Sequence, residues 1–271
     1  MSHVTGGQFD ISVHSTAPRE FIALGVPTFG TVNIFWAMRT FGMLRHPMNR
    51  DVYQFVVLGN EVGLARNEIV AKALAREEAD PTKRCSHVFF IDDDVFVHPE
   101  ALLKLMADDR DIVSGLYFAK TATPQPLVLM EDGVEKTWKP GEIVDCWAHG
   151  MGMTLIRTEV FRRLRDETDL GVDQMGNPNW FETTRDAMTL RADGSPAFTM
   201  RNQTEDVAFL RKAAALGYQP SVDTGPQTFG FHWAAAERRG YPLKQWREYE
   251  SLGTITWTET PDGVPVVWEA A

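Results

Sequence analysis

The chain has 271 residues, 44% apolar and 24% charged, which is enough to bury a sizeable core and too ordinary a mixture for a disordered protein. Its net charge of −10 gives no general pull toward phosphate backbones, and two cysteines, Cys85 and Cys146, exclude a disulfide framework or a CxxC zinc site. No stretch approaches the ~20 apolar residues of a membrane span and MSHVTGGQFD lacks the pattern of a secretory leader, so a reducing, cytoplasmic setting is expected.

After a first dozen or so residues without pattern, FIALGVPTF (21–29) predicts a strand, followed by a helix near 31–44. YQFVVLG (53–59) predicts a second strand, and LARNEIVAKALAREE (64–78) a helix with apolar residues at helical spacing. HVFFI (87–91) is a short apolar run ending in three aspartates, the pattern of a strand buried on both faces. Pro99 can then open a helix whose buried face is Ala101, Leu102, Leu105 and Met106. Strand and helix alternating three times imply an α/β fold with a mainly parallel sheet flanked by helices.

The carboxyl-terminal half is less regular. DIVSGLYF (111–118) and IVDCWAHG (143–150) predict strands, and MTLIRTEVFRRL (153–164) a strand running into a helix. Residues 166–203, rich in Gly, Pro, Asn and Asp, predict a long surface excursion. TEDVAFLRKAAALG (204–217) is a helix with Thr204 as N-cap and Gly217 as its stop, and the tail predicts a hairpin around Asp262 and Gly263. No repeat, low-complexity tract or linker interrupts the chain, so one domain is expected.

Ligands of open parallel sheets bind outside the carboxyl ends of the strands, which is where Asp92, Asp93 and Asp94 fall. Alternation along an extended chain would point Asp92 and Asp94 together and Asp93 apart. Adjacent carboxylates repel, and hard oxygen ligands suit Mg²⁺ or Mn²⁺; the alternative is a solvated acidic turn ahead of the next helix. Glu205 and Asp206 open a helix whose dipole keeps a carboxylate ionised and able to act as a base, and only one of them can face a reacting group squarely. Ordinary first-turn charge complementarity would look the same.

His232, in TFGFHW, could add one nitrogen to an oxygen-rich Mn²⁺ site or could simply be packed. Arg66 and Asn67, read as opening the helix after the second strand, suit an anionic ligand. Gly150 and Gly152, in HGMGM, would either let a ligand approach the backbone or serve a tight strand entry.

Taken in order, VPTFG, ARNEIV, FFIDDDVFVHPEALLKL, GMGMTLIRTEVFRRL, TEDVAFLRKAAALGY and TFGFHW resemble the GT-A glycosyltransferases, especially the family 2-like enzymes of bacteria and their phages, over about residues 20–235. The resemblance implies a GT-A (Rossmann-like) domain over 1–271. Residues 1–19 would be a flexible N-terminus, 20–120 the nucleotide-binding half, 121–235 the acceptor side, and 236–271 a C-terminal loop and hairpin.

It further implies a nucleoside-diphosphate sugar donor, a UDP-sugar first among them. Pro27, Thr28, Arg66, Asn67, Asp92, Asp93, Gly150 and Gly152 would lie around that donor. A Mn²⁺ or Mg²⁺ ion would be held by Asp94 and His232 with Asp92, although three aspartates in a row leave open which pair binds it. Asp206, then Glu205, would take the acceptor's proton. The acceptor stays open among saccharide, protein and hydroxymethylated phage DNA, the last admitted by the cluster Arg238, Arg239, Lys244 and Arg247; a phage-encoded enzyme would act in the host cytoplasm.

Two rivals share parts of this pattern. A nucleotidyltransferase would carry a basic glycine-rich loop after the first strand, where GVPTFGTVN has no lysine or arginine. A non-catalytic nucleotide-sugar or carbohydrate-binding protein would have little use for the acidic, arginine and histidine positions together. A P-loop enzyme is excluded, because GxxxxGK[ST] is absent.

Overall fold

Alternation in FIALGV sends Phe21 and Ala23 to one face and Ile22 and Leu24 to the other, and both sets are buried under helices. The structure, a computed structural model, describes residues 18–121, 125–130, 135–183, 188–190, 196–198, 204–234, 239–241 and 255–258.

The amino-terminal half runs β1 (Arg19–Thr28), α1 (Ile34–Ala37) continuing into a π-turn over 38–43, β2 (Asp51–Leu58), α2 (Val62–Ala79), β3 (Lys83–Ile91), β4 (Val95–Phe96), α3 (Ala101–Ala107) and β5 (Ile112–Gly115). There follow β6 (Val128–Leu129), β7 (Glu135–Trp138), β8 (Ile143–Asp145), β9 (Ala148–His149), β10 (Met153–Arg157) and α4 (Thr158–Glu167). The last elements are β11 (Met188–Leu190), β12 (Pro196–Phe198), α5 (Glu205–Ala215), β13 (Pro220–Asp223), β14 (Phe231–Ala234), β15 (Arg239–Tyr241) and β16 (Ile255–Thr258).

Seven strands make the central sheet in the order β2-β1-β3-β10-β5-β13-β8. β1, β2, β3, β5 and β13 share one direction, while β10 and β8 run against them, so the fold is mixed α/β with a mostly parallel sheet. On one face Phe90, Phe161, Phe181 and Phe209 form an aromatic core beneath α2, α4 and α5, with Phe181 and Phe209 stacked at 4.5 Å. On the other, Trp36, Leu102 and Leu105 cover Ile22, Leu24, Phe89 and Ile91.

Several sequence expectations change. α2 starts at Val62, because Glu61 caps it by accepting from the N–H groups of Gly63 (3.0 Å) and Leu64 (3.2 Å). Arg66 and Asn67 therefore lie inside the helix and do not open it.

The strand expected over 143–150 splits in two. Cys146 N–H bonds to Pro220 O while Trp147 N–H bonds to Leu129 O, so the chain changes partner between β13 and β6. Nor is 166–203 wholly a surface excursion, since Trp180 and Phe181 are buried in the aromatic core and Trp180 Nε1 donates to Phe161 O at 2.9 Å. In the tail, β16 pairs with β7, and the turn at Asp262 and Gly263 lies outside the described residues, as do Arg238, Lys244 and Arg247.

Candidate active site

β3 ends at Ile91, and the N–H of Val95 bonds back to Asp92 O at 3.0 Å, so the three aspartates form a turn at the carboxyl edge of the sheet. Strand alternation stops there, and each carboxylate takes its own direction. This corrects the expectation that Asp92 and Asp94 point together.

Asp92 Oδ1 accepts from Arg66 Nη2 at 2.7 Å. Asp93 Oδ2 accepts from Thr28 Oγ1 at 2.6 Å. Asp94 is bound by the Lys120 ammonium through Oδ2, and its Oδ1 lies 3.3 Å from His232 Nε2. Burial raises the Asp93 carboxyl above the ordinary range against the bond from Thr28. Burial pushes Asp94 the same way, but His232 and Lys120 outweigh it and hold that carboxyl low.

His232 arrives through backbone pairing. β14 pairs antiparallel with the two-residue β4, setting His232 opposite Val95, and Trp233 N–H bonds to Asp94 O at 2.6 Å. The ring's Nδ1 lies 3.1 Å from Phe118 O, so it carries the proton and donates to that carbonyl. Nε2 then faces a carboxylate oxygen, and the 3.3 Å gap takes either a proton shared with the ring or a metal cation.

The separation of 3.3 Å is near the ~3.0 Å between neighbouring ligands of an octahedral ion with ~2.1 Å bonds. One carboxylate and one imidazole nitrogen thus fit a divalent cation as two of its ligands. Among the described residues no group of three or more His, Cys, Asp or Glu side chains is placed to hold a metal. Asp92, turned to Arg66, is not gathered into the pair.

Arg66 is 2% exposed and binds Glu205 through Nη1 as well as Asp92 through Nη2. Burial would lower its pKa, but Asp92, Glu205 and Asp206 reverse this and lock in the charge. Gly63 lets Glu205 come close, since a Cβ there would lie 3.2 Å from that residue's own Cβ. Burial raises the Glu205 carboxyl, opposed by Arg66.

Asp206, next on α5, is half-buried. Its Oδ1 accepts from Thr204 Oγ1 and from Val207 N–H at 2.8 Å, and its charge acts on Arg66, Tyr117 and His149. Thr204 spends its hydroxyl on Asp206 and makes no side-chain cap to the helix backbone.

The remaining sequence-derived residues have structural partners. Asn67 is fully buried. Its Nδ2 donates toward Asp173, Asn179 and Phe181 O, and its Oδ1 accepts from Phe181 N–H at 2.8 Å, so it fastens the 173–181 segment to α2. Pro27 is buried in β1 beside Val57. At Gly150 a Cβ would lie 2.2 Å from Tyr117 Oη; at Gly152 it would lie 2.9 Å from Asp92 Oδ2. Both glycines make room for protein side chains.

Lys120, Tyr117 and the carbonyl of Phe118 were not singled out in the sequence. LYFAK follows a strand as an ordinary loop entry, and no local pattern signals their return to the Asp94 turn.

No protein-family model matches the chain, and no curated protein does at the sequence level. Among solved structures, A197 from STIV aligns with a TM-score of 0.45 and 14% identity, over 93% of this chain and 95% of that one.

Proposed function

We propose that the chain is a GT-A glycosyltransferase that moves a sugar from a nucleoside-diphosphate donor, a UDP-sugar first, to a hydroxyl of its acceptor. The observation that carries this reading is the pairing of Asp94 with His232 at the carboxyl edge of β3, with His232 Nδ1 committed to Phe118 O. In this reading Asp94 and His232 hold a Mn²⁺ or Mg²⁺ ion, which when bound neutralises charge on the departing diphosphate. Lys120, already on Asp94, offers a second cation to the same phosphates.

Asp206 takes the acceptor proton as the acceptor oxygen bonds to the sugar's anomeric carbon and the bond to the diphosphate breaks. Its half-buried position and a second oxygen with no hydrogen-bond partner among the described residues suit that role, whereas Glu205 is committed to Arg66. Asn67 serves as a positioning residue behind this site and not as a ligand contact.

The test is nucleoside-diphosphate release from UDP-, GDP- and TDP-sugars with and without Mn²⁺, offered with saccharide, protein and hydroxymethylated-DNA acceptors. Ion-dependent release that falls about 100-fold or more in Asp94→Asn and His232→Ala is the expected result. Pyrophosphate release would overturn it in favour of nucleotidyl transfer, and binding without turnover in favour of a binding protein.

A further inference from the structure

At the rim opposite the aspartate turn, β1 and β3 begin and the reversed β10 ends. A cavity of about 250 Å³ opens there, with Arg50, Arg84, Arg157 and Arg162 in its wall against Glu20 and Glu159. That is below the ~300 Å³ at which pockets for drug-sized ligands begin, so it suits a molecule smaller than a nucleotide sugar.

Three of these arginines already hold acids. Arg50 Nη2 lies 2.6 Å from Glu20 Oε2, Arg162 Nη2 lies 2.6 Å from Glu77 Oε2, and Arg157 binds Asp109. Of those three acids only Glu20 lines the cavity, so the wall itself stays positive. Arg84 differs from the others. It is 56% exposed, reaches Glu159 only at 4.0 Å and makes no hydrogen bond among the described residues. A guanidinium fork left open in this way matches the oxygens of a phosphate.

His87 comes to the cavity through a bulge. Phe21 pairs with Cys85 and Ile22 with His87, so Ser86 is an extra residue in β3. Cys85 and Val88 then pack in the same core, and His87 is released from it to line the cavity. Ser86 Oγ donates to Phe21 O at 3.1 Å and therefore accepts from His87 Nδ1 at 3.0 Å. Nε2 keeps its lone pair and has no hydrogen-bond partner among the described residues.

Burial first, then Arg157 and Arg50, hold the His87 ring at about 4 against Glu20 and Asp109. The ring is thus neutral at pH 7 and sits in a net positive field. A phosphate monoester, whose second pKa is near 6, brings its own proton to such a nitrogen. A phosphodiester or a sulfate has none to bring at neutral pH.

We propose that this cavity binds a small phosphate monoester, with the Arg84 guanidinium on its oxygens and its hydroxyl donating to His87 Nε2. The site is separate from the aspartate turn and does not depend on the function assigned to that turn.

Calorimetric titration of the full chain with glycerol 3-phosphate, dimethyl phosphate and sodium sulfate tests this. Glycerol 3-phosphate should bind about 10-fold or more tightly than either of the others. Arg84→Ala should weaken it about 10-fold or more with circular dichroism unchanged, whereas Asp94→Asn should leave it as it is. Should the Arg84 variant fail to fold, the wild-type protein decides, since the ring resonances of His87 must shift as glycerol 3-phosphate is added. No binding at millimolar concentration, equal binding of sulfate or dimethyl phosphate, or an Arg84→Ala protein that binds like wild type would each overturn the proposal. So would an unmoved His87 ring, or binding lost in Asp94→Asn, which would put the ligand at the aspartate turn.

Discussion

Arg66 Nη2 lies 2.7 Å from Asp92 Oδ1, and the same guanidinium reaches Glu205 through Nη1. A single buried cation therefore joins the aspartate turn after β3 to the first turn of α5. Arg66→Met would leave Asp92 and Glu205 without their counter-charge, at a cost of about 3–5 kcal/mol in urea unfolding. Arg66→Lys, a point charge without the planar fork, should fall between the two. An Arg66→Met protein as stable as wild type would show that the two acids have another partner.

Gly150 and Tyr117 should prove energetically coupled. A methyl at Gly150 meets Tyr117 Oη at 2.2 Å, so Gly150→Ala alone should cost about 1–3 kcal/mol. Tyr117→Phe alone strands the Gly152 N–H that now bonds to Oη at 2.7 Å, costing about 1–2 kcal/mol. Together they should cost less than their sum, because removal of the hydroxyl relieves the clash. Simple additivity in a double-mutant cycle would contradict this packing.

Stability should fall on acidification between pH 6.5 and 4. Burial lowers His149 to about 4, and its Nε2 is buried with no hydrogen-bond partner among the described residues; His87 is lowered to about 4 by burial and then by Arg157 and Arg50. Both rings stay neutral in the folded chain while the unfolded chain takes up a proton near 6.5. Their contribution is complete above 6.5 and is lost as pH falls toward 4. For fully buried His149 that amounts to about 3 kcal/mol, and for the more open His87 less. His149→Gln should flatten the fall in urea midpoint between pH 7 and 4.5; an unchanged slope would exonerate it.

Asn67→Ala should cost about 2–3 kcal/mol, because Phe181 N–H loses its acceptor inside the core. The near-ultraviolet signal of Trp180 should weaken with it, since both residues sit on the segment that Asn67 fastens. A variant with native stability and an unaltered Trp180 signal would place the anchor of that segment elsewhere.

What the sequence made legible was local. HVFFI is buried on both faces and reads as a strand; the acidic start and glycine stop of the 204–217 helix stand where expected. The directions of Asp92, Asp93 and Asp94 were not legible, because the alternation that predicts them ends with the strand at Ile91. Asn67 and Phe181 are 114 residues apart, and no periodicity links a helical asparagine to a loop phenylalanine. His232 was noticed for its aromatic neighbours, but its route to Asp94 runs through β4, only two residues long and too short to show a pattern. Lys120 had no signal at all beyond its charge.

β10 lies between β3 and β5 and runs against both, with Met153 opposite Ile91. A reversed strand enters where its neighbours leave, so Gly152 O meets Asp92 N–H at 3.0 Å and the chain is stitched together at the very rim that carries the aspartates. Two stretches distant in sequence are thereby welded into one continuous hydrogen-bonded plate. Sliding one half past the other would require tearing that plate, so any opening and shutting around a bound molecule must fall to the segments that leave its rim.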